Sequence, residues 1–451
     1  MADRFSKRQV TSKRQVTILS IDGGGIRGVI PLAVLQFLER ELEILENGNK
    51  QKQEGEASNK KARLADYFDV IAGTSAGALI TSLLASPSPR TAEEIIDLFY
   101  EEGPNIFSNP GDTKEENSEQ DDTTPKRCKA ANWYYKKTKK TVKRTVKELL
   151  AGRPKVIIDN WMEPIRAILD PVYTGKHLNE VAEKVLGKDT LLKDLSTHIV
   201  IPTYDVQKDS PVVFTTRLAK DQNWKIKLKD VVVSSASAPY YFPPNKFEVD
   251  GKHYNLVDGG VVANDPGRTM LAIREASKLF PEAGDYSNYL ILSLGTGKEK
   301  LSGGRPLLTG AGIFDWFCGL ESIKNLSLKI PPLVDMLFRV SEDITVMMTS
   351  YTLGERNLRN YLRIQDYELK PEHAAIDNVN PKNIDDLKRI GRDLISRYVA
   401  IPNSETGLPK VIFKEDEKNH SPNNLPPKNQ DELKCFAKRL YDERRRRMPS
   451  N

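Results

Sequence analysis

Two apolar runs, Val16 to Ile21 and Tyr67 to Ala72, each pass into a glycine-bearing turn and then into a helical pattern. The first turn reads Asp22-Gly23-Gly24-Gly25-Ile26-Arg27-Gly28. It leads to a helix from about Pro31 to Leu45, with Leu32, Leu35, Leu38, Leu42 and Leu45 on one face and Pro31 suited to the first turn. The second turn reads Gly73-Thr74-Ser75-Ala76-Gly77 and opens a helix from Ala78 to Leu84. Short runs that are mostly apolar without strict alternation mark strands buried on both faces. Parallel neighbours need a crossover between them, and a helix is the usual one. The repeated order of strand, glycine turn and helix therefore predicts an α/β layered fold with a largely parallel sheet. Further strands are expected at His198 to Ile201, Val212 to Thr215, Val231 to Val233, Tyr254 to Val257 and Tyr289 to Leu294.

A chain of 451 residues is long enough for one large domain or two ordinary ones. Its hexapeptide SKRQVT occurs twice, at Ser6 to Thr11 and at Ser12 to Thr17, and residues 1–15 are expected to be a disordered basic lead-in. Residues 16–300 carry the strand and turn signals of one α/β domain, interrupted by a charged insertion at 109–150. Residues 301–451 read as mostly helical and packed on the same domain, with a Pro-, Asn- and Lys-rich loop at Asn403 to Asn429 and a basic amphipathic helix at Asp431 to Arg447. The three cysteines, Cys128, Cys318 and Cys435, form neither a disulfide framework nor a zinc spacing. The N-terminal segment lacks the apolar core of a secretory signal, and no run is long enough to span a bilayer. These features predict a cytoplasmic protein whose membrane contact is peripheral. The net charge of +6 is too mild to point to nucleic acid. The basic stretch Lys126 to Lys147 contains no acidic residue, and Val142, Val146, Leu149 and Leu150 at and just beyond its end could share one helical face. Such a segment can lie on an anionic lipid surface or remain a solvated loop.

Three short motifs carry chemistry. In Gly73-x-Ser75-x-Gly77, a sharp strand-to-helix turn would lift the serine hydroxyl clear of the backbone, and the helix N-terminus would stabilise charge developing there. The competing reading is a plain turn. Gly23, Gly24 and Gly25 could present consecutive backbone N–H groups to an oxyanion. The same glycines, with Gly28, also match the dinucleotide pattern G-x-G-x-x-G, whose partner acid would fall at Glu41 or Glu43 inside the expected helix, where it is badly placed to hold a ribose. Asp258-Gly259-Gly260 ends a strand and could bring a carboxylate to Ser75 as its base, or could be an ordinary Asp-Gly turn. A Ser-His-Asp triad would need one of His177, His198, His253, His373 or His420, and none of these lies in a recognisable motif. A Ser-Asp pair is preferred.

The ordered set of these motifs resembles the patatin-like phospholipase family, and the plant patatins in particular. The likeness extends to Val200-Ile201-Pro202-Thr203-Tyr204-Asp205, Ser235-Ala236-Ser237-Ala238-Pro239, Leu292 to Gly297, Tyr361 to Gln365 and Cys435 to Leu440. It thus covers most of the chain from Val16, apart from the charged insertion. The resemblance implies a three-layer α/β/α fold. It implies a catalytic dyad of Ser75 and Asp258 and an oxyanion hole from the Gly23, Gly24 and Gly25 amides. Asp22, Arg27, Gly28, Gly73, Gly77, Gly259 and Gly260 would be supporting residues. It implies hydrolysis of phospholipids, galactolipids or related acyl lipids at a membrane or micelle surface, through an acyl-enzyme and without metal or cofactor. A role in lipid catabolism or defence-related lipid signalling would follow.

Overall fold

The computed structural model describes residues 14–50, 61–109, 171–263, 267–300, 347–354, 357–402, 409–410 and 426–448. Most of the expected N-terminal lead-in, all but the first residue of the charged insertion with its Lys126 to Lys147 stretch, and most of Asn403 to Asn429 lie outside the described residues.

Among the described residues, a mixed sheet of eight strands forms the middle layer. The strands are β1 (Val16–Ile21), β2 (Val70–Gly73), β3 (His198–Asp205), β4 (Ser210–Thr215), β5 (Asn245–Val249), β6 (Lys252–Asp258), β7 (Tyr289–Leu294) and β8 (Tyr361–Ile364). β1 is central and pairs in parallel with β2 and β7; β2 pairs in parallel with β3, and β7 with β8. β4, β5 and β6 add an antiparallel margin beside β3.

The helices are α1 (Val29–Lys50), α2 (Ala76–Leu84), α3 (Ala92–Ile106), α4 (Lys176–Leu186), α5 (Thr216–Asp221), α6 (Leu228–Ala236), α7 (Gly260–Ala263), α8 (Gly267–Leu279), α9 (Pro381–Ser396) and α10 (Asn429–Arg447). Strand residues alternate between two apolar layers. Leu19, Ile71, Leu290 and Leu292 face the larger core, which contains apolar residues of α1, α2, α3, α6, α9 and α10. Ile18, Val70, Ala72 and Ile291 face the other side, where Ala272, Ile273 and Ala276 of α8 cover them. Both faces of the parallel strands are therefore dry, which is why these segments are mostly apolar without strict alternation. The three-layer α/β/α arrangement implied by the sequence is present.

One expected element is different. Val231 to Val233 is not a strand but part of α6. Three consecutive β-branched residues favour a strand locally, yet Leu228, Val231, Val232 and Ser235 recur at i, i+3, i+4 and i+7 and are all buried. Packing of that stripe outweighs the local preference. The basic C-terminal helix is present as α10, and its last turn is tied to the start of the sheet. Arg447 pairs with Asp69 at 2.8 Å, and Arg444 pairs with Glu46 at 2.6 Å. Among the described residues, no helix is long and apolar enough to cross a membrane.

Candidate active site

β2 ends at Gly73 and α2 begins at Ala76, so Ser75 sits in the turn between them. Its backbone has φ 55° and ψ −125°, a region that a non-glycine residue enters at a cost of roughly 1–3 kcal/mol. Surrounding contacts hold it there. A Cβ added at Gly77 would lie 2.2 Å from the Ile21 carbonyl oxygen, so only glycine lets the start of α2 approach the end of β1. Gly73 is equally confined, with a Cβ position 2.1 Å from the Gly77 carbonyl oxygen. The Gly77 amide donates to the Thr74 carbonyl at 2.8 Å, and the Ser75 carbonyl accepts from Ala78 at 2.9 Å. The helix behind the turn is buried over its whole length, which makes it a rigid support.

The sheet register brings Asp258 to this turn. Val200 pairs with both Ala72 and Thr215, so β2 and β4 lie on opposite edges of β3. Thr203 pairs with both Val212 and Asp258, so β4 and β6 are also on opposite edges. Hence β2 and β6 share one edge of β3 and point at each other end to end. Continuing the β2 register puts Gly73 opposite Ile201, two residues from the level of Asp258. At ~3.3 Å per residue that gap is about 7 Å. Pro202 occupies the gap, where its missing N–H leaves no donor unpaired. A Cβ at Gly259 would lie 2.1 Å from the Pro202 carbonyl oxygen, which explains the glycine after Asp258. Asp258 is buried; its Oδ1 accepts from the Gly260 amide at 2.6 Å, and its own amide donates to the Ser237 carbonyl at 3.0 Å.

The glycine loop lies on the other side of the serine turn. Asp22 leaves β1 with its amide donating to Leu294 at 2.9 Å, and its carboxylate receives both Arg363 Nη atoms, at 2.7 and 2.9 Å. Gly25 has φ 56°, and a Cβ there would lie 2.2 Å from the Ile376 carbonyl oxygen. That same carbonyl accepts from the Ile26 amide at 2.8 Å, and Gly24 accepts from the Arg27 amide at 3.2 Å. Thr296 Oγ1 donates to the Gly23 carbonyl at 2.6 Å, and Arg27 Nη1 donates to the Gly297 carbonyl at 3.0 Å. Gly28 packs against Phe99 and Ile80. The loop is thus clamped through its carbonyls and side chains, while Gly24 and Gly25 remain partly exposed and Gly25 lines the same cavity as Ser75.

Behind Ser75 is an apolar cavity. α2, α3, α4 and α6 supply most of its wall, including Leu79, Phe99, Val181 and Val232, and Gly25 and Ile376 reach its edge. Ser75 is the one residue with a polar side chain among the described residues that line it. α3 is held in place by a capping box between Thr91 and Glu94 and by buried Glu39 of α1, which accepts from the Ala92 amide at 3.0 Å.

The described histidines have other surroundings. His177 Nδ1 lies 2.9 Å from Ser108 Oγ, His373 Nδ1 lies 2.7 Å from Asn383 Oδ1, and exposed His253 lies beside Glu248. His198 is within β3, where burial lowers its pKa. His420 lies outside the described residues. Among the described residues, no group of three or more His, Cys, Asp or Glu could hold a metal ion. The dinucleotide alternative loses its acid: Glu41 and Glu43 are inside α1, and Glu43 accepts from the Ala62 amide. At ~1.5 Å per residue, Glu41 is about 20 Å along the helix from Gly28.

Four contributors had no assigned role in the sequence. They are Ser235, Ser237, Arg363 and Ile376. Ser235 and Ser237 stand in Ser235 to Pro239, and Arg363 in Tyr361 to Gln365, both segments of the family likeness, but nothing in their local pattern says what they touch. Ile376 had no signal, because its contribution is a backbone carbonyl.

The comparisons with known proteins agree with this architecture. The family model described as patatin-like phospholipase matches residues 19–271. Patatin-like protein 2 of Arabidopsis thaliana is 34% identical over 87% of this chain and 86% of its own length. Patatin-like protein 2 of Oryza sativa subsp. indica is 32% identical over 97% of this chain and 96% of its own. Patatin group M-2 of Solanum tuberosum is 29% identical, covering 87% of each chain. The model match runs from β1 through Asp258 into α8, the stretch that builds the serine turn, the glycine loop and most of the cavity, and the chain belongs to the patatin-like phospholipase family.

Proposed function

We propose that the protein hydrolyses carboxylic esters of acyl lipids, with Ser75 as nucleophile and Asp258 as general base. The observation that carries this reading is the setting of Ser75, which is the one polar side chain among the described residues lining an otherwise apolar cavity. A saturated chain is the ligand chemistry such a wall favours, because every CH₂ removed from water contributes about 0.8 kcal/mol. An ester bound with its chain in the cavity presents its carbonyl carbon to Ser75 Oγ at the mouth.

Asp258 takes the hydroxyl proton as Oγ attacks. Negative charge forms on the carbonyl oxygen, and the Gly24 and Gly25 amides, with Gly23 behind them, donate to it. One such donor is worth roughly 10²–10³ in kcat. The N-terminus of α2 adds a favourable field. Asp258 returns the proton to the departing alcohol or lysolipid, leaving an acyl-enzyme. Water, deprotonated by the same carboxylate, then releases the fatty acid and restores Ser75. Phospholipids and galactolipids both supply such esters.

Fatty-acid release from mixed micelles containing each lipid class tests the proposal. Ser75→Ala is expected to abolish release and fluorophosphonate labelling while leaving the melting temperature close to that of the parent. Release retained by Ser75→Ala would overturn it.

A further inference from the structure

We infer that the C-terminal end of α6 sets the spacing between Ser75 and Asp258, and that Ser235 is the positioning residue through which it does so. The inference rests on the assignment of Ser75 and Asp258 as nucleophile and base. Ser235 is completely buried in the last turn of α6. Its Oγ accepts from the Ser75 amide at 3.1 Å and donates to the Pro202 carbonyl at 3.0 Å. One hydroxyl therefore ties the strained serine turn to the gap in β3 where β2 and β6 meet. Two residues on, the Ser237 carbonyl accepts the Asp258 amide at 3.0 Å. The nucleophile and the base are thus fastened to the same helix end, one through a side chain and the other through the backbone.

The arrangement has a chemical consequence. A Ser75 backbone at φ 55° relaxes toward ordinary dihedrals unless its amide is held. Ser235 Oγ holds it, and because that hydroxyl donates its proton to Pro202, its lone pairs face the Ser75 amide. Its neighbour Ser234 is an internal comparison. Ser234 is equally buried, its Oγ donates to the Asp230 carbonyl at 2.6 Å and accepts from Asn245 Nδ2 at 3.0 Å, but it does not reach the serine turn.

The test measures kcat, KM, fluorophosphonate labelling rate and melting temperature for Ser235→Ala and Ser234→Ala in the full chain. Displacing a nucleophile by about 1 Å costs on the order of 10²-fold in rate. Ser235→Ala is expected to lower kcat and the labelling rate together by about 10- to 100-fold with KM unchanged, and Ser235→Thr, which keeps the hydroxyl, to recover much of that loss. Ser234→Ala is expected to lower the melting temperature about as much as Ser235→Ala does and to keep the parent kcat. If Ser235→Ala does not fold, Ser235→Cys carries the same test, because a thiol is a weak donor and acceptor. Parent-like kcat in Ser235→Ala or Ser235→Cys, or an equal loss in Ser234→Ala, overturns the inference. Activity surviving in Ser75→Ala would instead overturn the assignment of the site.

Discussion

Removal of Arg363 gives a quantitative test of how the glycine loop is held. Its guanidinium meets the Asp22 carboxylate through two parallel hydrogen bonds, and both side chains are about 95% buried, with 5% and 6% exposed. Arg363→Met leaves the carboxylate in a dry site without that counter-charge. Breaking a buried pair in this way costs about 3–5 kcal/mol. Unfolding entropy near 2.1 cal/mol/K per residue amounts to about 0.95 kcal/mol/K over the whole chain, so the melting temperature should fall by about 3–5 °C. The partner substitution separates loss of a contact from loss of charge balance. Asp22→Leu combined with Arg363→Met replaces the pair by apolar groups and should melt well above Arg363→Met alone, because no charge is then stranded. Differential scanning calorimetry of the parent, both single variants and the double variant gives the coupling directly. Asp22 precedes Gly23, so every variant that moves it should also lose kcat. A melting point for Arg363→Met within 1 °C of the parent, or strictly additive losses in the double variant, would refute the reasoning.

Gly77→Ala places its Cβ against the Ile21 carbonyl and is expected to cost about 1–3 kcal/mol and most of the activity, as read by melting and fatty-acid release. Gly48→Ala, at a helical position with open space around it, should melt at or slightly above the parent, since alanine is favoured in a helix by roughly 1 kcal/mol. Burial raises the pKa of Glu39 to about 8, so the folded protein keeps its proton at pH values where the unfolded chain has lost it. The stability this group contributes is full below its unfolded value of 4.5 and is lost as pH rises through about 8, by an amount on the order of 5 kcal/mol. Glu39→Gln, which keeps an acceptor for the Ala92 amide, should therefore match the parent near pH 5 and melt several degrees higher at pH 9; identical pH–melting curves would refute this.

The local signals that the sequence carried strongly were those with a short-range cause. β1, β2 and β7 are buried on both faces, so their apolar runs are visible without any knowledge of neighbours. The glycines at 73, 77 and 259 each stand where a side chain would strike backbone, and their spacing survives in the sequence as a motif. Val231 to Val233 misled because a β-branched run is ambiguous between a strand and a buried helix, and the choice is made by the surface it packs on.

What the sequence determined by itself was the layered α/β class, the serine turn, the glycine loop and the aspartate at a strand end, since each depends on residues adjacent in the chain. What only the tertiary structure decided is how those pieces meet. Asp258 reaches the Ser75 turn because β6 continues the edge of β3 that β2 vacates, a consequence of strand register between segments about 190 residues apart. The grip of Arg363 on Asp22, of the Ile376 carbonyl on Gly25 and Ile26, and of Ser235 on the Ser75 amide also joins distant segments. Backbone carbonyls and buried hydroxyls have no distinctive residue pattern. Their roles are set by the three-dimensional path of the chain around the cavity.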